Sequence, residues 1–467
     1  MDSKLGFKNT VLVLGLGLTG VAVANDLAKR GVKVLAWDDK EDSRKIPLEK
    51  GARLADRAQI DALLADDCPD WKSFDAVIKS PGIPMASKLV RNALAANVKV
   101  MGDLDLLWRR EQARGAHTKF IGITGTNGKS TTTALVGHLL RNAGFAVAVG
   151  GNIGEPALTL PELPEGGIYV LEMSSFQLET LSELQADGCL LLNLTADHLD
   201  RHGDMHAYLG AKLRLFEHAK PGAVRVLGVD QEPLRKVASQ GGYTTVSVAG
   251  QLASYTVEIE GEHPGELWRG DKLIGDTSVF ERLPGAHNWQ NIACAYALLK
   301  GMNEGKGLLS NGEFFTGVQT FMGLPHRLER VRDIGNVGFI NDSKATNGDS
   351  VVPALKSFAD IFWICGGRPK SDGLEAVIEA GVLGTVRAAF TIGEAGHAFA
   401  MALRGQGVQA YECTTLEKAV RDAYTAAAQS GHEKPVVLLS PACASYDQFR
   451  NYEQRGEAFT KIVKGLK

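Results

Sequence analysis

The chain of 467 residues is long enough for about three ordinary domains, and its 44% hydrophobic and 22% charged residues match an average globular protein. With 51 basic and 54 acidic side chains the formal charge is −3, and there is no basic tract, no aromatic–basic interleaving, no bilayer-length apolar run and no leader-like start, so nucleic acid, membrane insertion and export are not expected. Cys68, Cys189, Cys294, Cys365, Cys413 and Cys443 lie far apart without a Cys-x-x-Cys pair, which argues against a zinc site or disulfide framework and fits a reducing cytoplasm.

In chain order, Thr10–Leu14 reads as a buried strand followed by Gly15-Leu16-Gly17-Leu18-Thr19-Gly20, a helix through Arg30, and a second strand from Val32 to Trp37 ending at Asp38-Asp39. This is a dinucleotide fingerprint with its acidic residue at the usual distance. Its physical demand is a phosphate at a helix N-terminus and a hydroxyl for the carboxylate, so the ligand stays open between a nicotinamide cofactor and another nucleotide diphosphate. The strand Asp75–Lys79 ends in a rigid loop, Ser80-Pro81-Gly82-Ile83-Pro84, where ligand contacts of an α/β sheet are usually found. A first domain closing near residue 107 is expected.

The second expected domain centres on Thr124-Gly125-Thr126-Asn127-Gly128-Lys129-Ser130-Thr131-Thr132, between the apolar run Lys119–Ile123 and a helical pattern through Arg141. Backbone N–H groups of such a loop converge on phosphate oxygens, Lys129 adds a point charge, and Ser130 can hold Mg²⁺. The usual first glycine is replaced by Ile123, which makes this a variant phosphate loop; alone it also fits an NTPase that hydrolyses ATP without an acceptor. Downstream, Tyr169–Ser175 carries Glu172 at a strand end, and Cys189–Leu194 leads into Asp197-His198 and His202. A strand-end acid beside a phosphate loop is where Mg²⁺ is commonly held. His202 reads as a hydrogen-bonded surface histidine, whereas the position of His198 favours a role at the site. Met205 to Ala219 reads as an amphipathic helix on which Lys212, among Leu209, Ala211, Leu213 and Leu215, is by sequence alone a snorkelling surface lysine. Residues 222 to 283 look turn-rich. The helix opening at Leu283 and continuing to Leu299 carries Asn288 and Asn291 on one face, suited to a purine, a phosphate or a cap.

A third domain is expected from Gly323-Leu324-Pro325-His326-Arg327, with strands at Val337–Asn341, Ile361–Cys365, Ala388–Ile392 and Val436–Leu439. Loops following these strands, among them Asn341–Asn347, Gly366–Ser371 and Ser440–Ser445, would share one sheet edge, where Arg327, Lys344 and Lys370 suit acidic ligands.

The ordered set Gly15–Gly20, Thr124–Thr132, Asn152, Glu172, Asp197-His198, Lys212, His287-Asn288-x-x-Asn291, His326-Arg327 and Asn341–Asn347 resembles the muramyl ligases, ATP-dependent amide synthetases of peptidoglycan precursor assembly, over essentially the whole chain. Within that family, Asn341–Asn347 and Ser440–Phe449 look like the branch that adds D-glutamate. The resemblance implies an α/β fold of three domains. These are a Rossmann-like UDP-substrate domain at 1–107, a central phosphate-loop ATPase-type domain at 108–323 and a Rossmann-like amino-acid domain at 324–467. It implies that Leu18, Thr19, Asp38, Ser80, Gly82 and Asn152 bind UDP-N-acetylmuramoyl-L-alanine, and that Gly125, Thr126, Asn127, Gly128, Lys129, Ser130, Thr131, Asn288, Asn291, Arg327 and Asp342 bind ATP.

D-Glutamate would meet Thr346, Lys370, Ser445 and Tyr452. Two Mg²⁺ would be held by Ser130, Glu172, His198 and Lys212, the last as a carbamate, with Lys129, Glu172, His198 and Lys212 as the catalytic set. The family reaction phosphorylates the substrate carboxylate, and the amine of the amino acid then displaces phosphate. A monomer that closes about the linker near Gly323 is expected. Tyr446 and Tyr452 replace the Leu and Phe of better-known members, and Asp38-Asp39-Lys40 is an unusual end to the UDP-facing strand.

Overall fold

The computed structural model describes residues 5–302, 308–369 and 373–466, and it divides into two compact units. The first unit comprises Met1–Thr256, Trp268–Ile274 and Gln290–Val318; the second comprises Val257–Leu267, Gly275–Trp289 and Gln319–Lys467.

In the first unit, the run Thr10–Leu14 is buried on both faces because it sits mid-sheet, which is why it shows no alternation. Its sheet is parallel in the order Ala52–Leu54, Lys33–Trp37, Thr10–Leu14, Phe74–Lys79, Lys99–Met101. A nine-stranded sheet follows, whose strands lying wholly in this unit run in the order Thr244–Ser247, Ala219–Gly228, Ala186–Leu191, Lys119–Thr124, Ile168–Glu172, Val147–Gly151. These six strands pair in parallel. One apolar cluster joins the two sheets, running from Val11 and Leu27 through Leu104 and Leu107 to Phe120, Tyr169 and Leu215.

The second unit holds a six-stranded sheet in the order Glu329–Ile334, Val337–Asn341, Val436–Leu439, Ile361–Gly366, Val386–Ile392, Ala410–Thr414, parallel except for the first pair. The four expected strands form its interior, with apolar clusters on both faces. The two outer strands were not anticipated: their half-exposed sequences, ERVRDI and AYECT, lack the continuous apolar run that marks a buried strand. The expected helix from Met205 stops at Glu217, because Ala219 opens the next strand and pairs with Ala186. Among the described residues no helix is long and apolar enough to cross a membrane.

Candidate active site

The phosphate-type loop lies where its sequence put it, between the strand Lys119–Thr124 and the helix Lys129–Asn142. Gly128 caps that helix with φ +81°, and a Cβ there would fall 2.4 Å from Oδ1 of Asn291, so both its backbone and its space require glycine. Lys129 folds over the loop, its Nζ donating to the carbonyl oxygens of Gly125 at 3.0 Å and Thr126 at 2.7 Å. Ser130 is buried in the first turn, Thr131 is half-buried and Asn127 exposed. Asn193 latches the loop: its Oδ1 accepts from the N–H groups of Thr126 and Asn127 at 3.1 and 2.9 Å, and its Nδ2 donates to the Asn127 carbonyl. Sequence reasoning missed this residue, although its place at the end of the neighbouring strand was the available signal.

Glu172 ends the strand beside the loop, in register with Ile123. Its Oε1 accepts from Nδ2 of Asn152 at 2.7 Å, while its Oε2 is buried with no hydrogen-bond partner. A buried carboxylate oxygen left open is costly unless a ligand completes it. Lys212 overturns its surface reading: it is 1% exposed, its Nζ donates to the Gly125 carbonyl at 2.8 Å and lies 4.3 Å from the Tyr208 ring centroid. Burial, reinforced by the charge of Lys129, drives its pKa well below that of an ordinary lysine. The amphipathic count failed because Lys212 points back into the loop.

His198 is half exposed at φ +55°, its ring 4.8 Å from that of Phe176 and its Nε2 3.4 Å from Asp197. His202 also departs from the surface reading. Its side chain is only 4% exposed, Glu179 stands 3.7 Å from its Nδ1, and Ser175 bonds its Nε2. Burial lowers its pKa.

In the first sheet, Gly20 lies so close to the Gly15 carbonyl that a Cβ would come within 1.7 Å of it, which explains the fingerprint glycines. Ser80 Oγ donates to that carbonyl at 2.8 Å. Asp38 turns its carboxylate inward to accept from the Leu16 N–H at 2.7 Å and the Lys40 N–H at 2.8 Å. Leu18 is 84% exposed at the start of the helix Leu18–Lys29, next to half-buried Thr19. A cavity of about 140 Å³ opens between Gly15, Trp37, Asp38, Asp39 and Ile83.

In the second unit, Thr346, Ser445 and Tyr452 line one cavity of about 210 Å³ together with Lys344 and Tyr446. Lys344 Nζ donates to the Tyr452 hydroxyl at 2.9 Å and sits 4.1 Å from the ring centroid. Lys370 lies outside the described residues. Asp342 is 7% exposed; its Oδ2 accepts from Ser440 Oγ at 2.8 Å and its Oδ1 from the Leu328 N–H at 3.3 Å. Burial pushes its pKa up to about 7 against these bonds and the charges of Arg327 and Arg455. Arg327 lies between His326 and Leu328, both in the left-handed region. Asn288 donates from Nδ2 to the Pro284 carbonyl at 2.8 Å. Arg455 had no sequence signal: 1% exposed, it ties Ser343 Oγ and O to the Cys443 carbonyl, fixing two of the strand-end loops against each other.

Among the described residues no three His, Cys, Asp or Glu side chains gather into a cation site. The open oxygen of Glu172 and the buried hydroxyl of Ser130 are hard donors of the kind Mg²⁺ takes when phosphate and water complete its shell. The residues present therefore fit a divalent ion carried in with a nucleotide.

Comparison with known proteins gives three family matches: the Mur ligase MurD-like N-terminal domain over residues 9–102, the Mur ligase middle domain over 123–299, and the Mur ligase glutamate ligase domain over 326–443. Curated relatives named UDP-N-acetylmuramoylalanine–D-glutamate ligase include one from Caulobacter sp., 40% identical across 99% of this chain and 97% of its own. Another, from Paramagnetospirillum magneticum, is 41% identical across 98% and 96%. Among solved structures, MurF ligase from Thermotoga maritima in complex with ADP superposes with TM-score 0.61 at 18% identity, covering 99% of this chain and 97% of that one. UDP-N-acetylmuramate-alanine ligase from the same organism gives 0.57 at 19%, covering 98% and 100%.

Proposed function

Since the chain belongs to the Mur ligase family and is thus an ATP-dependent ligase of peptidoglycan precursor synthesis, we propose that it joins D-glutamate to UDP-N-acetylmuramoyl-L-alanine. The observation that carries the chemistry is the cluster at Gly125: two lysines on one loop carbonyl, near a strand-end carboxylate with one oxygen unclaimed.

The reaction brings together two carboxylates and a triphosphate, anions that repel in water, so positive charge and fixed donors must position and screen them. We assign Gly125 to Thr131 and Asn291 to the ATP phosphates, with Lys129 neutralising charge on the β- and γ-phosphates during transfer to the alanyl carboxylate. Asn288, Arg327 and Asp342 are assigned to the nucleoside end. The D-glutamate amine then attacks the acyl phosphate carbon; the tetrahedral adduct loses an N–H proton to solvent or the departing phosphate, and the amide forms as phosphate leaves with the C–O bond electrons. Mg²⁺, two ions in this reading, would be held by Ser130, Glu172, His198 and Lys212 and would supply Lewis-acid stabilisation of phosphoryl oxygens. Lys212 serves as an oxygen ligand only as a carbamate, and burial keeps its amine neutral enough to add CO₂, releasing a proton.

Leu18, Thr19, Asp38, Ser80, Gly82 and Asn152 are assigned to the UDP-sugar substrate. Thr346, Lys370, Ser445 and Tyr452 are assigned to D-glutamate. Domain limits at 107 and 323, a monomer and a cytoplasmic site of action complete the reading. The test is phosphate release with UDP-N-acetylmuramoyl-L-alanine, ATP and Mg²⁺, comparing D-Glu, L-Glu, L-Ala and diaminopimelate. Release with D-Glu alone is expected; release without any amino acid overturns the acceptor assignment.

A further inference from the structure

The loop Ser80–Pro84 and the segment bearing His198 are held by one side chain. Arg201 lies in the four-residue helix Leu199–His202, whose one well-covered side chain, His202, packs its ring against Phe176 at 5.6 Å and Tyr208 at 5.2 Å. Its guanidinium donates from Nη2 to the Ile83 carbonyl at 2.9 Å and the Pro81 carbonyl at 3.4 Å, and from Nη1 to the Gly82 carbonyl at 3.3 Å. On its other edge it meets both oxygens of Glu179, at 3.3 Å from Nε and 2.8 Å from Nη2. Its plane lies 4.8 Å from the Phe176 ring centroid, and the His198 ring packs on the same phenylalanine at 4.8 Å. Lys79, with a fully buried side chain, reinforces the loop by donating to the same Ile83 carbonyl at 2.9 Å, with Glu179 3.8 Å away.

Three backbone carbonyls aimed at one side chain satisfy a guanidinium fork and cannot all be met by a point charge. The loop takes the shape that this fork dictates, and the same fork anchors the turn that carries His198. We infer that Arg201, held by Glu179 and Phe176, is a positioning residue that couples occupancy of the UDP-substrate loop to the placement of His198. Binding energy from the nucleotide end of the substrate is thereby used to orient the reacting end. This inference rests on the assignment of residues 80–84 to the UDP-sugar substrate.

The experiment measures binding of UDP-N-acetylmuramoyl-L-alanine and of ADP by calorimetry, together with kcat and KM, for Arg201→Ala, Arg201→Lys, Glu179→Gln and Gly82→Val. Gly82 has no left-handed φ, and a Cβ there meets nothing within 4 Å, so the valine variant folds and obstructs only a ligand. Arg201→Ala is expected to weaken the UDP-substrate by about 30-fold and to lower kcat by about 10-fold, with ADP affinity changed by less than about two-fold. Lysine should restore only a minor part of the loss, and Glu179→Gln should act in the same direction, covering the case in which the alanine variant does not fold. Unchanged UDP-substrate affinity, or equal losses for both nucleotides, overturns the coupling. If Gly82→Val leaves UDP-substrate binding intact, the loop assignment itself fails; if it weakens binding while the Arg201 and Glu179 variants do not, only the coupling falls.

Discussion

Lys129 and Lys212 share one acceptor, the carbonyl oxygen of Gly125, which receives their Nζ groups at 3.0 and 2.8 Å. Burial, with the repulsion of the Lys129 charge added to it, holds the pKa of the more deeply placed Lys212 well below that of an ordinary lysine. Lys129→Ala is expected to lower turnover by about 10³-fold or more, because it removes charge at a transferring phosphoryl group. Lys212→Ala should do nearly as much harm, and Lys212→Arg should not repair it, since a guanidinium cannot become a carbamate. Phosphate-release rates for the three variants decide this; recovery by arginine would mean that charge alone was needed.

Glu172 presents the opposite imbalance, a buried carboxylate with one oxygen bonded to Asn152 and the other to nothing. Without ligands such an oxygen weakens the fold, and an amide of the same shape removes the buried charge. Glu172→Gln is therefore expected to keep or raise the melting temperature of the ligand-free protein while reducing turnover by about 10²-fold or more. Scanning calorimetry and the coupled assay test the two halves separately. A fall in both would make Glu172 a structural residue only.

These two residues also mark how far sequence could reach. The strand, glycine-loop and helix of the nucleotide site were legible because each leaves a local pattern: an apolar run, glycines where φ is positive, and a helical repeat. Glu172 was legible as a strand-end acid. Lys212 was named only through the family resemblance, since helical spacing reports the face of a residue but not whether a long side chain turns toward a neighbouring loop. Asn193 and Arg455 act through bonds to backbone groups 66 and 112 residues away, a kind of contact with no local signature. The edge strands Glu329–Ile334 and Ala410–Thr414 escaped because a half-exposed strand carries no continuous apolar run.

Asp342 gives the protein a titration near neutrality. Its folded pKa of about 7 stands above that of a free aspartate, so between about pH 4 and pH 7 the folded chain holds a proton that the unfolded chain has released. Stability contributed by this group is therefore full at low pH and lost as pH rises through 7. Asp342→Asn removes the linkage, and its melting temperature should gain on that of the wild type between about pH 5 and 8. If the carboxylate accepts from the nucleotide ribose, the KM for ATP should also rise as pH falls below 7, and the asparagine variant should show no such dependence. A pH-independent difference in melting temperature would show that Asp342 stays ionised.

Tyr452 tests the cavity of the second unit. Its hydroxyl fixes the Lys344 ammonium at 2.9 Å and its ring face lies 4.1 Å from the same nitrogen, so the lysine is held by a hydrogen bond and by the π face together. Phenylalanine keeps the second contact and removes the first, so the ammonium loses the hydrogen bond that orients it in the cavity it lines with Thr346 and Ser445. A single hydrogen bond to a charged group is worth about 1.5–3 kcal/mol, part of which is regained from water. Tyr452→Phe is therefore expected to raise the KM for D-glutamate by about 3- to 10-fold, with the KM for ATP and for the UDP-sugar substrate unchanged. Tyr452→Ala, which loses both contacts, should raise it further. If the KM for ATP moves instead, Lys344 serves the nucleotide, and the cavity between Thr346, Ser445 and Tyr452 is not where the amino acid binds.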